Sequence, residues 1–132
     1  MKYMLMMQGC TKANWDTFCT WPKKDLQAHI AFMQAFDKPL IDSGELVSAE
    51  GLDAPGQAVA VRAGQDGKPV TDGVFPEAKE FLMGYWIVDV KSPERAYEIA
   101  AQVSAAPGPG GVPMNMLVEV RQVMAGPPEE LL

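Results

Sequence analysis

His29 is the single histidine of this sequence and the one side chain whose ordinary form changes charge near neutral pH. It lies among Leu26, Ile30, Met33, Phe36 and Leu40, which recur at helical spacing, so its imidazole falls on an apolar arc. An imidazole in that position is either a core group bonded to a carbonyl or a general acid or base. Two carboxylates are candidates to orient it and favour its protonated form. Asp25 stands four residues earlier and can reach it along one helix face. Asp42 stands thirteen later, about 140° round an unkinked helix, and only a break at Pro39 would bring it closer.

A second group of polar residues lies in Asp72-Gly73-Val74-Phe75-Pro76-Glu77. Read plainly, this is a turn ending a strand. Read functionally, the loop sets Asp72 and Glu77 beside a cavity, where carboxylates near apolar walls shuttle protons. Arg62 either binds an acidic substrate or pairs on the surface. Glu119 and Arg121 interrupt the apolar pattern of the last strand and read as solvated edge charges. The pocket reading gives ligand contacts to Arg62, Gly73, Phe75, Glu77 and Tyr85. The glycines at 108–111 follow a helix and alternate with proline, the wrong setting for a phosphate loop. No Gly-x-Ser-x-Gly elbow occurs. The two cysteines, Cys10 and Cys19, form no Cys-x-x-Cys, and with one histidine no metal-ligand spacing emerges. Neither a metal nor a cofactor is expected.

These residues need elements to hold them. Residues 2–8 read as a strand with both faces apolar. Residues 9–22 are an irregular connection carrying Trp15, Phe18 and Trp21, a core cap or a lid over a pocket. Residues 23–43 read as a helix, kinked or cut by Pro39 and stopped by Ser43-Gly44. Residues 45–50 are a strand, and 57–63 and 68–72 form a hairpin around Asp66-Gly67. Residues 81–90 are the longest strand, with Leu82, Trp86, Val88 and Val90 on one face and Phe81, Met83, Tyr85 and Ile87 on the other. Ser92-Pro93-Glu94 opens a second helix to about residue 104, with Ala96, Ile99, Ala100 and Val103 inward. Residues 114–123 close the fold as a strand.

The order is strand, helix, strand, inserted hairpin, strand, helix, strand: an α+β, ferredoxin-like βαββαβ arrangement. Two helices cover only one sheet face, yet the first and longest strands are apolar on both. The second face predicts a homodimer whose sheets pack together around a cavity; the lesser alternative is that hairpin and aromatic loop fold over it. The 132 residues fit one domain, 1–124, with a tail from 125 to 132. Such a chain hides about two thirds of its unfolded surface. Eleven Lys and Arg against seventeen Asp and Glu give −6 without a basic run, which argues against nucleic-acid partners. No apolar stretch spans a membrane. A reducing cytoplasm is the simplest location.

The chain resembles the YCII-related family, and within it the branch named for an Asp-Gly-Pro-Phe motif. The matching segments are Met1-Lys-Tyr-Met-Leu, Ala28-His29, Ser43-Gly44-Glu-Leu-Val, Glu50-Gly51-Leu52 and Val61-Arg62. The run from Val70 to Tyr85 and Glu119-Val-Arg121 complete them. Here the motif reads Asp72-Gly73-Val74-Phe75, with Val in place of Pro. The resemblance implies a dimeric α+β barrel of ferredoxin-like halves and an active-site pair of a His with an Asp, which by position are His29 and Asp42. By analogy with dehydrochlorinase-like and muconolactone-isomerase-like proteins of the same halves, it implies a proton-transfer lyase or isomerase step on a small organic molecule, with small organic acids among the candidates. In that scheme Asp72 forms a second polar wall. The alternative it implies is a non-catalytic ligand-sensing module working with sigma-factor-type regulators.

Overall fold

The computed structural model describes residues 1–8, 20–71 and 81–132. The aromatic-loop residues Trp15 and Phe18, both cysteines, and Asp72, Gly73, Phe75 and Glu77 lie outside the described residues.

Four strands make the main sheet: β1 (Lys2–Met7), β2 (Leu46–Gly51), β5 (Gly84–Asp89) and β6 (Val118–Gln122). Their order is β2-β5-β1-β6, and every neighbouring pair is antiparallel. Helices α1 (Lys23–Asp42) and α2 (Pro93–Ser104) connect them, and β3 (Val61–Ala63) with β4 (Pro69–Thr71) forms a separate hairpin. This is the α+β, ferredoxin-like arrangement with an inserted hairpin that the element order predicts.

The period-2 pattern of β1 and β5 decides the core. Tyr3, Leu5 and Met7 alternate with half-buried Met4 and Met6, and buried Trp86 and Val88 alternate with half-buried Tyr85 and Ile87. Leu5 pairs with Trp86 on one side and Val120 on the other, so three strands present one apolar face to the helices. From α2 that face receives Ala96, Ile99, Ala100 and Val103, all buried, and from α1 Leu40. Leu5, Val88, Ile99 and Val103 are fully enclosed. Each such side chain contributes about 1.5–3 kcal/mol by leaving water.

The helix ends follow their local chemistry. Ser92 caps α2, its hydroxyl accepting from the Arg95 N–H at 3.4 Å, with Pro93 in the first helical position. α1 ends at Asp42, and Gly44 takes φ +78°, the left-handed conformation glycine adopts without penalty. Four details differ from the sequence reading. α1 runs through Pro39 to Asp42: the ring forfeits only the bond a residue-39 N–H would donate to the Ala35 carbonyl, and the Pro39 carbonyl still accepts from the Ser43 N–H. Ile30, at the margin of the arc, is 51% exposed. β5 begins only at Gly84, so Met83 escapes the strand alternation and packs against the core cluster instead of lying with Tyr85. β3 and β6 are shorter than read, since a 3-10 turn occupies Pro55–Gln57 and strand pairing starts at Val118.

Candidate functional site

The end of the sheet where β1 finishes and β5 starts does not close fully against α1. A cavity of about 300 Å³ remains there. His29, Met33 and Asp37 line it from α1, at positions i, i+4 and i+8, so they form one row along the helix. Facing them are Met7, Trp86 and Met83; Glu50 and Tyr85, cross-strand partners in β2 and β5, border the opening at the strand ends, while the pleat places them on the opposite sheet face from Trp86. The walls are mostly apolar with a few polar groups, the usual make-up of a small-molecule site. It lies within one chain, on the helix side of the sheet, not on the open face where the sequence reading puts a pocket.

Gly84 makes the opening possible. It sits opposite Gly51, and a Cβ built on it would lie 2.9 Å from the Glu50 carbonyl oxygen. Only glycine lets the two strands approach this closely at the cavity wall.

His29 is 9% exposed. Its Nδ1 lies 3.0 Å from the Pro107 carbonyl oxygen. A carbonyl only accepts, so Nδ1 carries the proton and donates. In the neutral ring, Nε2 then holds the lone pair, the form a general base requires. The Trp21 ring meets the imidazole edge-on, with centroids 5.9 Å apart. Asp37 is fixed by the indole of Trp86, whose Nε1–H donates to Oδ1 at 2.9 Å. Trp86 is in turn braced by Phe36 in an edge-to-face contact at 5.8 Å.

The other predicted site residues are dispersed. Asp42 does not meet His29: it ends α1 about 20 Å further along the axis. It is exposed, and Lys38 Nζ lies 3.6 Å from its Oδ2. The backbone carbonyl of Pro107 takes the orienting place at Nδ1. Arg62 is exposed on the β3–β4 hairpin, paired across from Val70, and does not line the cavity. Tyr85 does line it. Asp37 was missed, although it lies about 20° from Leu26 on the helical wheel, inside the arc that holds His29. A charged residue within an apolar arc was the available signal.

A second depression, about 420 Å³, opens between Ser43, Glu45, Asp89, Lys91 and Arg95. Glu45, Arg95 and Asp89 are already engaged, Asp89 by the N-terminal ammonium at 2.9 Å. Arg95 grips Glu45 with two bonds, at 2.9 and 3.0 Å, and reaches Glu98 at 3.1 Å. The Arg95 hydrogen bond outweighs burial and holds the Glu45 carboxyl below the usual carboxylate range, while the same bond raises the guanidinium further. Among the described residues no cluster of three or more His, Cys, Asp or Glu is gathered to hold a metal. No described helix is long and apolar enough to cross a membrane.

The YCII-related domain model matches residues 1–112, most of the chain. The protein belongs to the YCII-related family. It is also 28% identical over 111 residues to an uncharacterised protein of Rhizobium meliloti (strain 1021), a match covering 84% of this chain and 86% of that one. The YCII-related match includes both His29 and the strands that form the cavity.

Proposed function

We propose that this YCII-related protein binds a small organic molecule in the cavity between α1 and the sheet, and that His29 moves a proton on it. The observation that carries this reading is the His29 Nδ1–Pro107 bond in a residue that also lines the cavity. The bond sets the tautomer, and a fixed tautomer with a basic Nε2 suits abstraction of a proton next to an activating group. The proton passes to Nε2 and the electron pair moves into the activating group. Return of the proton elsewhere gives an isomerase step, and loss of a leaving group gives a lyase step.

In this reading the chain is a cytoplasmic homodimer of the branch with the Asp-Gly-Pro-Phe motif. The second sheet face supports pairing, since Met4, Met6, Tyr85 and Ile87 are only half-buried there. A solution mass of one chain at micromolar concentration removes the dimer without touching the cavity.

Deuterium exchange tests the chemistry. A panel of small enolisable carbonyl compounds is incubated with the protein in D2O and followed by NMR. Exchange is expected with the wild type and not with His29→Asn, whose amide retains an N–H for the Pro107 carbonyl. Exchange that persists in His29→Asn, or none across the panel with the wild type, overturns the assignment. A second reading is a non-catalytic ligand sensor coupled to a sigma-factor-type regulator; the same bond supports only its sensing half, since a ligand against His29 also reaches the anchor of the 105–113 loop. A stable complex with such a factor, together with ligand recovered unchanged, would select it.

A further inference from the structure

We propose that Asp37 sets the ligand class of the cavity: the occupant carries a hydrogen-bond donor, an ammonium above all, and carboxylates are rejected. This rests on the cavity being the ligand site.

The argument starts from the row on α1. His29, Met33 and Asp37 follow one another at four-residue intervals and all face the cavity, so a ligand lying along the helix meets an imidazole, a thioether and a carboxylate in turn. Asp37 is half-buried and its Oδ1 accepts from Trp86. An ionised carboxylate has two oxygens and about four acceptor positions, and it cannot donate. The indole N–H uses one position and locks the group's orientation, which pre-organises the others.

Charge supplies the second part. Glu50 borders the cavity from β2 but is exposed and alternates away from the Trp86 face, so Asp37 supplies the charge on this wall, and no lysine or arginine lines the cavity among the described residues. Two cations on the helices are committed to other partners. Lys38, the cation beside Asp37 in sequence, is 79% exposed and lies against Asp42. Arg95 is held by Glu45 and Glu98. Among the described residues, a bound carboxylate would therefore face the like charge of Asp37 with no lysine or arginine on the wall, whereas an ammonium would meet opposite charge and an apolar body would rest on Met33, Met83 and Trp86. Arg62, the residue that suggests an acidic substrate from sequence, is on the exposed hairpin away from this wall.

The test uses three probes of one shape: 2-phenylethylamine, 2-phenylethanol and phenylacetate. Binding to the full chain is followed by the Trp86 indole N–H and Gly84 amide signals in NMR titrations. The amine is expected to bind about tenfold or more tighter than phenylacetate, as a charge-assisted hydrogen bond allows, with the alcohol between them. In Asp37→Asn, the amine should fall to the level of the alcohol, while Glu50→Gln should have a smaller effect. Equal binding of amine and carboxylate, or tighter binding of the carboxylate, overturns the charge assignment and leaves the cavity standing as a site. An amine preference unchanged in folded Asp37→Asn overturns the role of Asp37. If no probe moves either signal, the cavity reading itself falls, and this inference falls with it. The wild-type rank order decides the ligand class even if the Asp37 variant does not fold.

Discussion

His29 on α1 is bonded through Nδ1 to the carbonyl of Pro107, 78 residues away in sequence and 3.0 Å distant. The bond ties the proline- and glycine-rich loop after α2 to α1, and the same ring lines the cavity. One side chain thus anchors that loop and borders the cavity.

The two duties separate by substitution. His29→Ala removes the donor and leaves a half-buried carbonyl unsatisfied, which should cost about 1–3 kcal/mol. His29→Asn keeps an amide N–H near the Nδ1 position and should recover much of that loss. Urea denaturation of the two variants measures the difference. Equal destabilisation would mean that the Pro107 bond contributes little and that ring packing against Trp21 carries the stability.

Asp42 makes the opposite prediction. Its side chain is 65% exposed and its Lys38 partner 79%, so the pair is weak. A negative group in the last turn also opposes the helix dipole. The two effects have opposite signs, and Asp42→Ala should change stability by less than about 0.5 kcal/mol. Proton exchange should be unaffected. Exchange lost in a fully folded Asp42→Ala would place the end of α1 in the chemistry after all.

What the sequence makes legible here depends on how local the deciding interaction is. The inward face of α2 follows from helical spacing alone, and Ala96, Ile99, Ala100 and Val103 are all buried as read. The Ser92 cap and the Gly44 stop are equally local. The strand order follows from element succession, because a βαβ unit leaves a gap that the next strand fills. The site was harder. His29 could be singled out by type and place, but its partner is a backbone oxygen in a distant loop, and a carbonyl leaves no trace in residue identity. Met83 was misplaced because period-2 alternation was extended beyond Gly84, where the strand begins. Asp37 was legible in principle, as a charge on the buried arc. The cavity beside α1 left no sign in the sequence, because area arguments count apolar surface without showing where packing leaves a gap.

Acid should weaken the Glu45–Arg95 lock. The folded-state pKa of Glu45 is lowered, chiefly by the Arg95 hydrogen bond. A depressed carboxyl contributes its full stability above its unfolded pKa of about 4.3 and loses it as pH falls through the folded value. Solvent reaches both partners, with side-chain exposures of 19% for Glu45 and 35% for Arg95, so screening reduces the contribution to about 1 kcal/mol. Thermal melts of the wild type and Glu45→Gln should therefore differ at pH 7 and converge as pH falls through the lowered folded-state value of Glu45. A gap that persists undiminished at pH 3 would show that the glutamate acts through packing and not through its charge. Raising the salt concentration at pH 7 should narrow the gap as well.

Gly84 offers the sharpest test of the cavity's architecture. It is buried at the start of β5, lines the cavity, and faces the β2 backbone. An alanine Cβ would sit 2.9 Å from the Glu50 carbonyl oxygen and 3.4 Å from the Gly51 Cα. Both neighbours are backbone, so no flexible side chain can yield. β2 must move outward, at a cost of about 1–3 kcal/mol for overpacking. That movement displaces Glu50 and Leu52, which form the wall opposite α1. Gly84→Ala should accordingly lower the denaturation midpoint and weaken binding of every probe in the phenylethyl series together, amine and alcohol alike. Asp37→Asn, by contrast, should change their order. A Gly84→Ala protein with unaltered stability and unaltered binding would mean that β2 and β5 do not approach as described, and that the gap beside α1 is not held open by this glycine.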